Sequence, residues 1–113
     1  MDFNIVSQLA GLISDNILTP VIYVRETECF TEFICFCDRH ITMQEIYDVE
    51  SKIEDITGKK AEITDIREYG ESERIDVINN SSLIYSEHPL IEKVFARSMI
   101  DDYKIAMAER KGI

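Results

Sequence analysis

Basic residues are scarce in this chain. Twelve lysines and arginines stand against 22 aspartates and glutamates, which gives a formal net charge of −10 over 113 residues. A surface with this balance repels phosphate backbones and anionic membranes at long range. We therefore expect neither nucleic acid nor a membrane as a partner. The natural complement is a basic protein surface or a cation.

Cysteine and histidine are also few, and their numbers argue against two kinds of site. The three cysteines, Cys29, Cys35 and Cys37, form an odd set, which suits a reducing compartment better than a disulfide framework. Structural zinc needs four ligands in a closed set, and the segment from Cys35 to His40 has no second Cys or His pair to complete one. We expect buried, inert thiols, no metal site at these residues and a cytoplasmic location.

Long apolar runs are missing as well. No run approaches ~18 residues, the length a membrane-spanning helix needs, and residues 1–4 carry no basic side chain. We expect neither a membrane span nor a signal peptide. The chain has 45% apolar residues and shows no repeat, low-complexity segment or linker. This length and composition predict one domain over residues 1–113.

The most apolar stretch of the sequence runs from Phe30 to Cys37 and contains neither Gly nor Pro. β-branched, aromatic and thiol side chains dominate it, which is typical of a strand buried on both faces in the middle of a sheet. Alternation places residues 33, 35 and 37 on one face and residues 32, 34 and 36 on the other.

Periodicity and turn signals place the remaining elements around this strand. A helix is predicted from a cap at Asp2 to about Asp15, and another from Thr42 to Gly58. The other predictions are strands over residues 21–24, 61–66 and 82–85, a short helix over 72–79, and a last helix that opens at His88-Pro89 and frays from Ile105. The order αββαβαβα predicts an α/β fold with one small mixed sheet.

Two segments carry a resemblance to a known family. Residues 58–68 read GKKAEITDIRE, and residues 75–85 read IDVINNSSLIY. They combine an acidic residue on the third strand, a short helix, and a strand that ends in two aliphatic residues and a tyrosine. This pattern resembles that of the minimal nucleotidyltransferases. These are small bacterial proteins often paired with a helical HEPN partner in toxin–antitoxin modules. The resemblance implies their fold and a helical protein partner.

The resemblance also implies where a catalytic site should lie. Active members carry a Gly-Ser turn that holds nucleotide phosphates, and here that position aligns with Arg25-Glu26. Their metal-binding Asp-x-Asp pair aligns with Glu32 and Ile34, and their third carboxylate corresponds to Glu62. Mg²⁺ demands clustered oxygen ligands, which Ile34 does not supply. The site is therefore interpreted as degenerate, with Glu32 and Glu62 as a vestigial cation site.

Glu32 has a second interpretation that needs no ligand. A carboxylate in an apolar strand costs free energy unless it is solvated or paired. We therefore expect Glu32 to reach water or to pair with Arg25 or a lysine, and an altered cation ligand is the functional alternative.

These observations support three hypotheses of function. The first is a non-catalytic, regulatory or antitoxin-like protein without catalytic residues or cofactor, which acts through protein contacts as a homodimer or with a helical partner. The second is a metal-dependent nucleotidyltransferase that uses Mg²⁺ at Glu32 and Glu62 to transfer a nucleotidyl group from a nucleoside triphosphate to a protein. The third is a small-ligand binder in the same cleft. Activity lost on Glu62→Gln without loss of fold would separate the second from the first.

Overall fold

The computed structural model of the protein describes residues 3–17, 19–37 and 39–110. Its elements are helix α1 (Phe3–Ile17), strands β1 (Val21–Glu26) and β2 (Thr31–Cys35), helix α2 (Met43–Thr57), strand β3 (Ala61–Asp65), a 3₁₀ turn (Ile66–Glu68), helix α3 (Glu71–Asn80), strand β4 (Ser82–Ser86) and helix α4 (Ile91–Arg110). The predicted order and the α/β class are confirmed. The predicted cap at Asp2 lies outside the described residues.

The four strands form one mixed sheet in the order β3-β2-β1-β4. Strand β1 pairs antiparallel with β2 and with β4, whereas β2 pairs parallel with β3. The register sets Arg25 opposite Glu32 and places Glu62 beside Glu32 on the next strand. Three adjacent strands, β1, β2 and β3, therefore bring Arg25, Glu32 and Glu62 together at one end of the sheet.

One face of the sheet, which we call the scaffold face, packs against α1 and α2. Its core consists of apolar side chains and thiols from both helices and all four strands, with Phe33 and Cys35 at its centre and Ile13 and Ile53 above them. All four of these side chains are buried. Burial of this layer stabilises the fold by about 25 cal/mol per Å² of apolar surface removed from water.

The opposite face, which we call the site face, packs against α3 and α4. Val77 from α3 and Met99 from α4 cover Ile34 and Phe36 of the central strand. The Phe36 ring meets Phe95 edge to face, with the ring centroids 5.2 Å apart. The predicted alternation along the central strand is thus confirmed, since residues 33, 35 and 37 lie in one cluster and residues 34 and 36 in the other.

Helix α2 begins and ends where its sequence signals place it. Thr42 accepts a hydrogen bond from the Glu45 amide, and the Glu45 side chain accepts one from the Thr42 amide, which forms a complete capping box. Gly58 ends the helix in the left-handed conformation at φ 70°, and its amide donates to the Glu54 carbonyl at 2.8 Å. Glycine adopts this φ without the steric cost that a Cβ brings.

The predicted strand boundaries are wrong at several places. Strand β1 runs to Glu26 instead of residue 24, so Arg25 belongs to the strand and not to the connection after it. Strand β2 ends at Cys35 instead of Cys37, although the Phe36 amide still donates to the Val21 carbonyl at 3.1 Å. Beyond Cys35 the chain leaves β3 on its way to α2, so the ladder on that side stops. Strand β3 ends at Asp65 because the next three residues turn into the 3₁₀ segment, which the Asp65 side chain caps.

The predicted limits of the last helix are also wrong. Pro89 lies in a turn before α4, in which the Ile91 amide donates to the His88 carbonyl, and the helix begins at Ile91. The segment predicted to fray is helical as far as Arg110. Half-buried Tyr103 and Met107 continue the packed face of the helix there, and Arg110 lies 3.4 Å from Glu71 of α3. Residues 111–113 lie outside the described part of the chain.

Within the described ranges, no helix combines the length and the apolar character that crossing a membrane requires.

Candidate functional site

The candidate site lies on the site face, where β1, β2 and β3 run side by side. Glu32 is only 4% exposed, and it stands between Arg25 on one neighbouring strand and Glu62 on the other. Ile34 points to the same face two residues further along β2, and it is fully buried in the apolar cluster under α3 and α4. The structure therefore brings Arg25, Glu32, Ile34 and Glu62 into one region.

Three donors hold the Glu32 carboxylate. Arg25 Nε donates to Oε1 at 2.6 Å, and the Thr64 hydroxyl donates to Oε2 at 2.8 Å. The Tyr69 hydroxyl also donates to Oε2. Pairing of Glu32 with Arg25, one of the outcomes expected from the sequence, is confirmed, whereas access of this carboxylate to water is not, because its side chain is buried.

The Arg25 guanidinium is held from several sides. Besides Glu32, its Nη2 donates to the Tyr69 hydroxyl at 3.1 Å, and its Nη1 lies 3.4 Å from the Asp76 carboxylate of α3. Tyr69 thus accepts from Arg25 and donates to Glu32, which closes a triangle of hydrogen bonds. Its partners come from β2, from α3 and from the residue Tyr69 between β3 and α3. The position of this guanidinium therefore depends on the packing of these segments and not on β1 alone.

The protonation states follow from the same contacts. Burial raises the pKa of Glu32. Hydrogen bonds from Tyr69, Arg25 and Thr64, together with the Arg25 charge, lower the pKa by more than burial raises it, so the net shift is downward. Burial and the bond to Glu32 raise the pKa of Tyr69. At neutral pH, Glu32 is therefore ionised and Tyr69 is protonated, as the hydrogen-bond triangle requires.

The donor set does not fit a divalent cation. Mg²⁺ needs several oxygen ligands in octahedral geometry, and of the positions that align with the family's ligands, Ile34 offers none. The oxygens of Glu32 already accept three hydrogen bonds, and the nearest positive charge is the Arg25 guanidinium. In the described part of the chain, no three Asp, Glu, His or Cys side chains are grouped so that they could hold a metal ion.

The turn after β1 offers little to a phosphate. Arg25 and Glu26 are strand residues paired with β2, so the chain turns within residues 27–30. The Thr27 amide donates to the Phe30 carbonyl at 2.9 Å, and the amides of Cys29 and Phe30 donate to the Thr27 hydroxyl at 3.3 and 3.1 Å. Three amides that could cradle an anion are therefore engaged within the turn itself.

The cysteines lie apart from this site. Cys35 and Cys37 are buried on the scaffold face, and Cys29 is exposed; all three are free. A hydrogen bond with Cys37 and burial raise the pKa of Cys35, which keeps it a thiol at neutral pH. The prediction of buried core thiols is confirmed for Cys35 and Cys37.

Sequence reasoning missed three residues of the site: Thr64, Tyr69 and Asp76. Thr64 could have been found, because it lies two residues after Glu62 and therefore shares its face of β3. Tyr69 and Asp76 gave no such signal, since they reach the site from the loop after β3 and from α3.

Several solved structures with the same arrangement of elements are structures of toxin–antitoxin proteins. The chain superposes on a structure of the MntA–HepT toxin–antitoxin with a TM-score of 0.80 and 15% identity, over 98% of this chain and 94% of the other. It superposes on a structure of a tri-AMPylated HEPN toxin in complex with MNT antitoxin from Shewanella oneidensis with a TM-score of 0.81 and 16% identity, over 99% and 94%. The chain has the nucleotidyltransferase-like fold.

A third similar structure is a toxin–antitoxin with AMP-PNP, with a TM-score of 0.77 and 15% identity over 99% of this chain and 94% of that chain. No protein-family model and no curated protein matches the sequence. At these identities the likeness is one of fold. The structures therefore confirm the nucleotidyltransferase-like fold that the resemblance implied, and the function rests on the geometry of the site.

Proposed function

We propose that this chain is a non-catalytic, antitoxin-like protein of nucleotidyltransferase fold, which acts by binding a helical protein partner. The observation that carries the proposal is the position of the Arg25 guanidinium on Glu32. A fixed positive charge covers the one buried carboxylate that aligns with a metal ligand. The charge balance that a bound cation would provide is supplied by the chain itself.

The nature of the partner is supported by two further features. The similar solved structures are toxin–antitoxin proteins, and one of them contains a HEPN toxin bound to an MNT antitoxin. The chain carries a formal charge of −10, which favours association with a basic partner surface. We propose cytoplasmic assembly with such a partner, and no nucleic acid in the complex.

The alternative is a metal-dependent nucleotidyltransferase, and one observation favours it. Glu32 and Glu62 are neighbours in register on adjacent strands, so both carboxylates belong to the same end of the site face. For this enzyme to work, Arg25 would have to leave Glu32 when a cation binds. The two functions therefore make opposite predictions for the binding of nucleotide and metal.

Thermal unfolding with ATP or GTP, with and without Mg²⁺ or Mn²⁺, separates the two functions. A ligand that binds only the folded state raises the unfolding midpoint. The proposal predicts no metal-dependent shift at millimolar nucleotide, for the wild type or for Glu62→Gln. A metal-dependent shift in the wild type that Glu62→Gln abolishes would contradict the proposal and support the enzyme.

Partner binding is tested by co-expression with a helical protein encoded beside this chain. The proposal predicts a stable complex whose partner carries no nucleotidyl group in intact-mass spectra after incubation with ATP and Mg²⁺. A partner that gains the mass of a nucleotidyl group, and no longer gains it with Glu32→Gln, would show transfer activity.

A further inference from the structure

The outward face of α4 carries apolar side chains that nothing in the described chain covers. Leu90 in the turn before the helix is 59% exposed, Val94 is 67% exposed and Ile105 is 59% exposed. Met99, on the opposite side of the helix, is the residue buried against the site face. Residues spaced by three and four along a helix share one side, so the exposed three form a stripe.

The charges of one groove beside this stripe are ordered, and exposed Lys104 follows them outside the groove. The groove is shallow, with a volume of about 510 Å³, and it has Lys93 and Arg97 in its first half and Asp101 and Asp102 in its second half. The groove is therefore locally neutral, although the chain as a whole has a net charge of −10. Its positive half faces one end of the helix and its negative half faces the other.

A helix with this order of charges is complementary to an antiparallel copy of itself. If a second helix of the same sequence lies antiparallel to the first, each basic half meets an acidic half, and Leu90 and Val94 approach Ile105 of the second copy. Contacts of this type repeat twice around a two-fold axis, as in an isologous dimer. An acidic or a basic partner would match only one half of the groove and would oppose the other.

We propose that α4 is a self-association surface, on which a second copy of this chain packs its own α4 antiparallel. The central contacts pair Arg97 of each copy with Asp101 of the other. Within one chain these two residues form a loose ion pair, with Arg97 Nε 3.5 Å from Asp101 Oδ1 and side chains 80% and 54% exposed. Such an exposed pair contributes little to stability, so both side chains are available to a second copy.

The dimer is expected to be weak. One pair of helices with three apolar residues per copy buries less than the roughly 1,600 Å² of a standard interface, so we expect a monomer–dimer equilibrium that depends on concentration. This inference is independent of the proposed function, because it is tested on the isolated chain without nucleotide, metal or another protein.

Sedimentation velocity over a concentration series tests the inference with charge-reversal variants. Arg97→Glu and Asp101→Lys each place like charges across the interface, and each should weaken the dimer at least tenfold. A mixture of the two variants should form a heterodimer with near wild-type affinity, because opposite charges then meet at both contacts. Circular dichroism melting checks that each variant is folded.

Lys52→Glu and Asp55→Lys on the exposed side of α2 are the matched controls, since they change the net charge equally and should leave the dimer unchanged. A wild-type chain that stays monomeric up to millimolar concentration would overturn the inference. A dimer that tolerates both α4 variants would also overturn it, as would folded variants that fail to pair when mixed.

Discussion

The scaffold face and the site face of the sheet share the same central strand but are built differently. On the scaffold face, β2 contributes Phe33 and Cys35 to a continuous apolar layer under α1 and α2. On the site face, the same strand contributes Ile34 to an apolar cluster and Glu32 to a network of charged and hydroxyl groups. A buried network in which every polar group is paired is tolerated in a core. Removing one partner leaves another group unpaired and lowers the free energy of unfolding by several kcal/mol. The site face is therefore where single changes reveal function.

The largest expected effect belongs to the scaffold face. Phe33 is fully buried at the centre of that layer, and Phe33→Ala should lower the free energy of unfolding by about 3–5 kcal/mol through lost burial and a residual cavity. Urea unfolding measures the loss. Met43→Ala, at a position 61% exposed on α2, serves as the control and should change stability by less than about 0.5 kcal/mol. A Phe33→Ala loss no larger than that of the control would mean that this layer is not the core.

The next effect tests the ion pair on the site face. Glu32→Gln removes the nearer of the two carboxylates that pair with Arg25 and should cost about 2 kcal/mol, less than for a fully buried pair because Asp76 remains and the Arg25 side chain is 28% exposed. Arg25→Met and the double variant complete a double-mutant cycle in urea unfolding. The coupling energy should be favourable by about 1–3 kcal/mol. Coupling near zero would show that the two side chains do not stabilise the fold as a pair.

The same carboxylate should make stability depend on pH in a defined direction. Its pKa in the folded chain lies below the ordinary value, so its stabilising effect is complete above about pH 4.3, the unfolded value, and is lost as pH falls through the folded pKa. The difference in unfolding free energy between the wild type and Glu32→Gln should therefore be constant from pH 8 to pH 6 and shrink in acid. A difference that grows in acid would mean that the folded pKa of Glu32 is raised.

How much of this face could be predicted from the sequence depends on the range of each interaction. Alternation along the central strand predicts that Glu32 and Ile34 share a face, and the capping signals around Thr42 and Gly58 fix α2, because these patterns are local. The hydroxyl of Tyr69 reaches Glu32 across 37 positions of sequence. Its placement depends on the 3₁₀ turn after β3, whose first residue, Ile66, was predicted to be the last residue of the strand. The sequence pointed to Arg25, Glu32 and Glu62, but not to the side chains that hold Arg25 and Glu32, which are Thr64, Tyr69 and Asp76.

The smallest expected effect belongs to one of those missed side chains. Thr64→Val removes one donor from Glu32 at nearly constant volume and should cost about 1 kcal/mol. In the Glu32→Gln background the same substitution should cost clearly less, because the charged acceptor is gone. Equal costs in the two backgrounds, measured by urea unfolding, would show that Thr64 contributes to the fold independently of Glu32.

The proposed function depends on the Arg25 guanidinium taking the place of a cation at Glu32. Titration of the wild-type chain with Mn²⁺, followed by the electron paramagnetic resonance signal of the free ion, tests it most directly. We expect no Mn²⁺ binding at Glu32 in the wild type, because Arg25, Thr64 and Tyr69 already hold its carboxylate, so Glu32→Gln should leave the titration unchanged. Sub-millimolar binding by the wild type that Glu32→Gln abolishes would contradict the account and show that this site still binds metal.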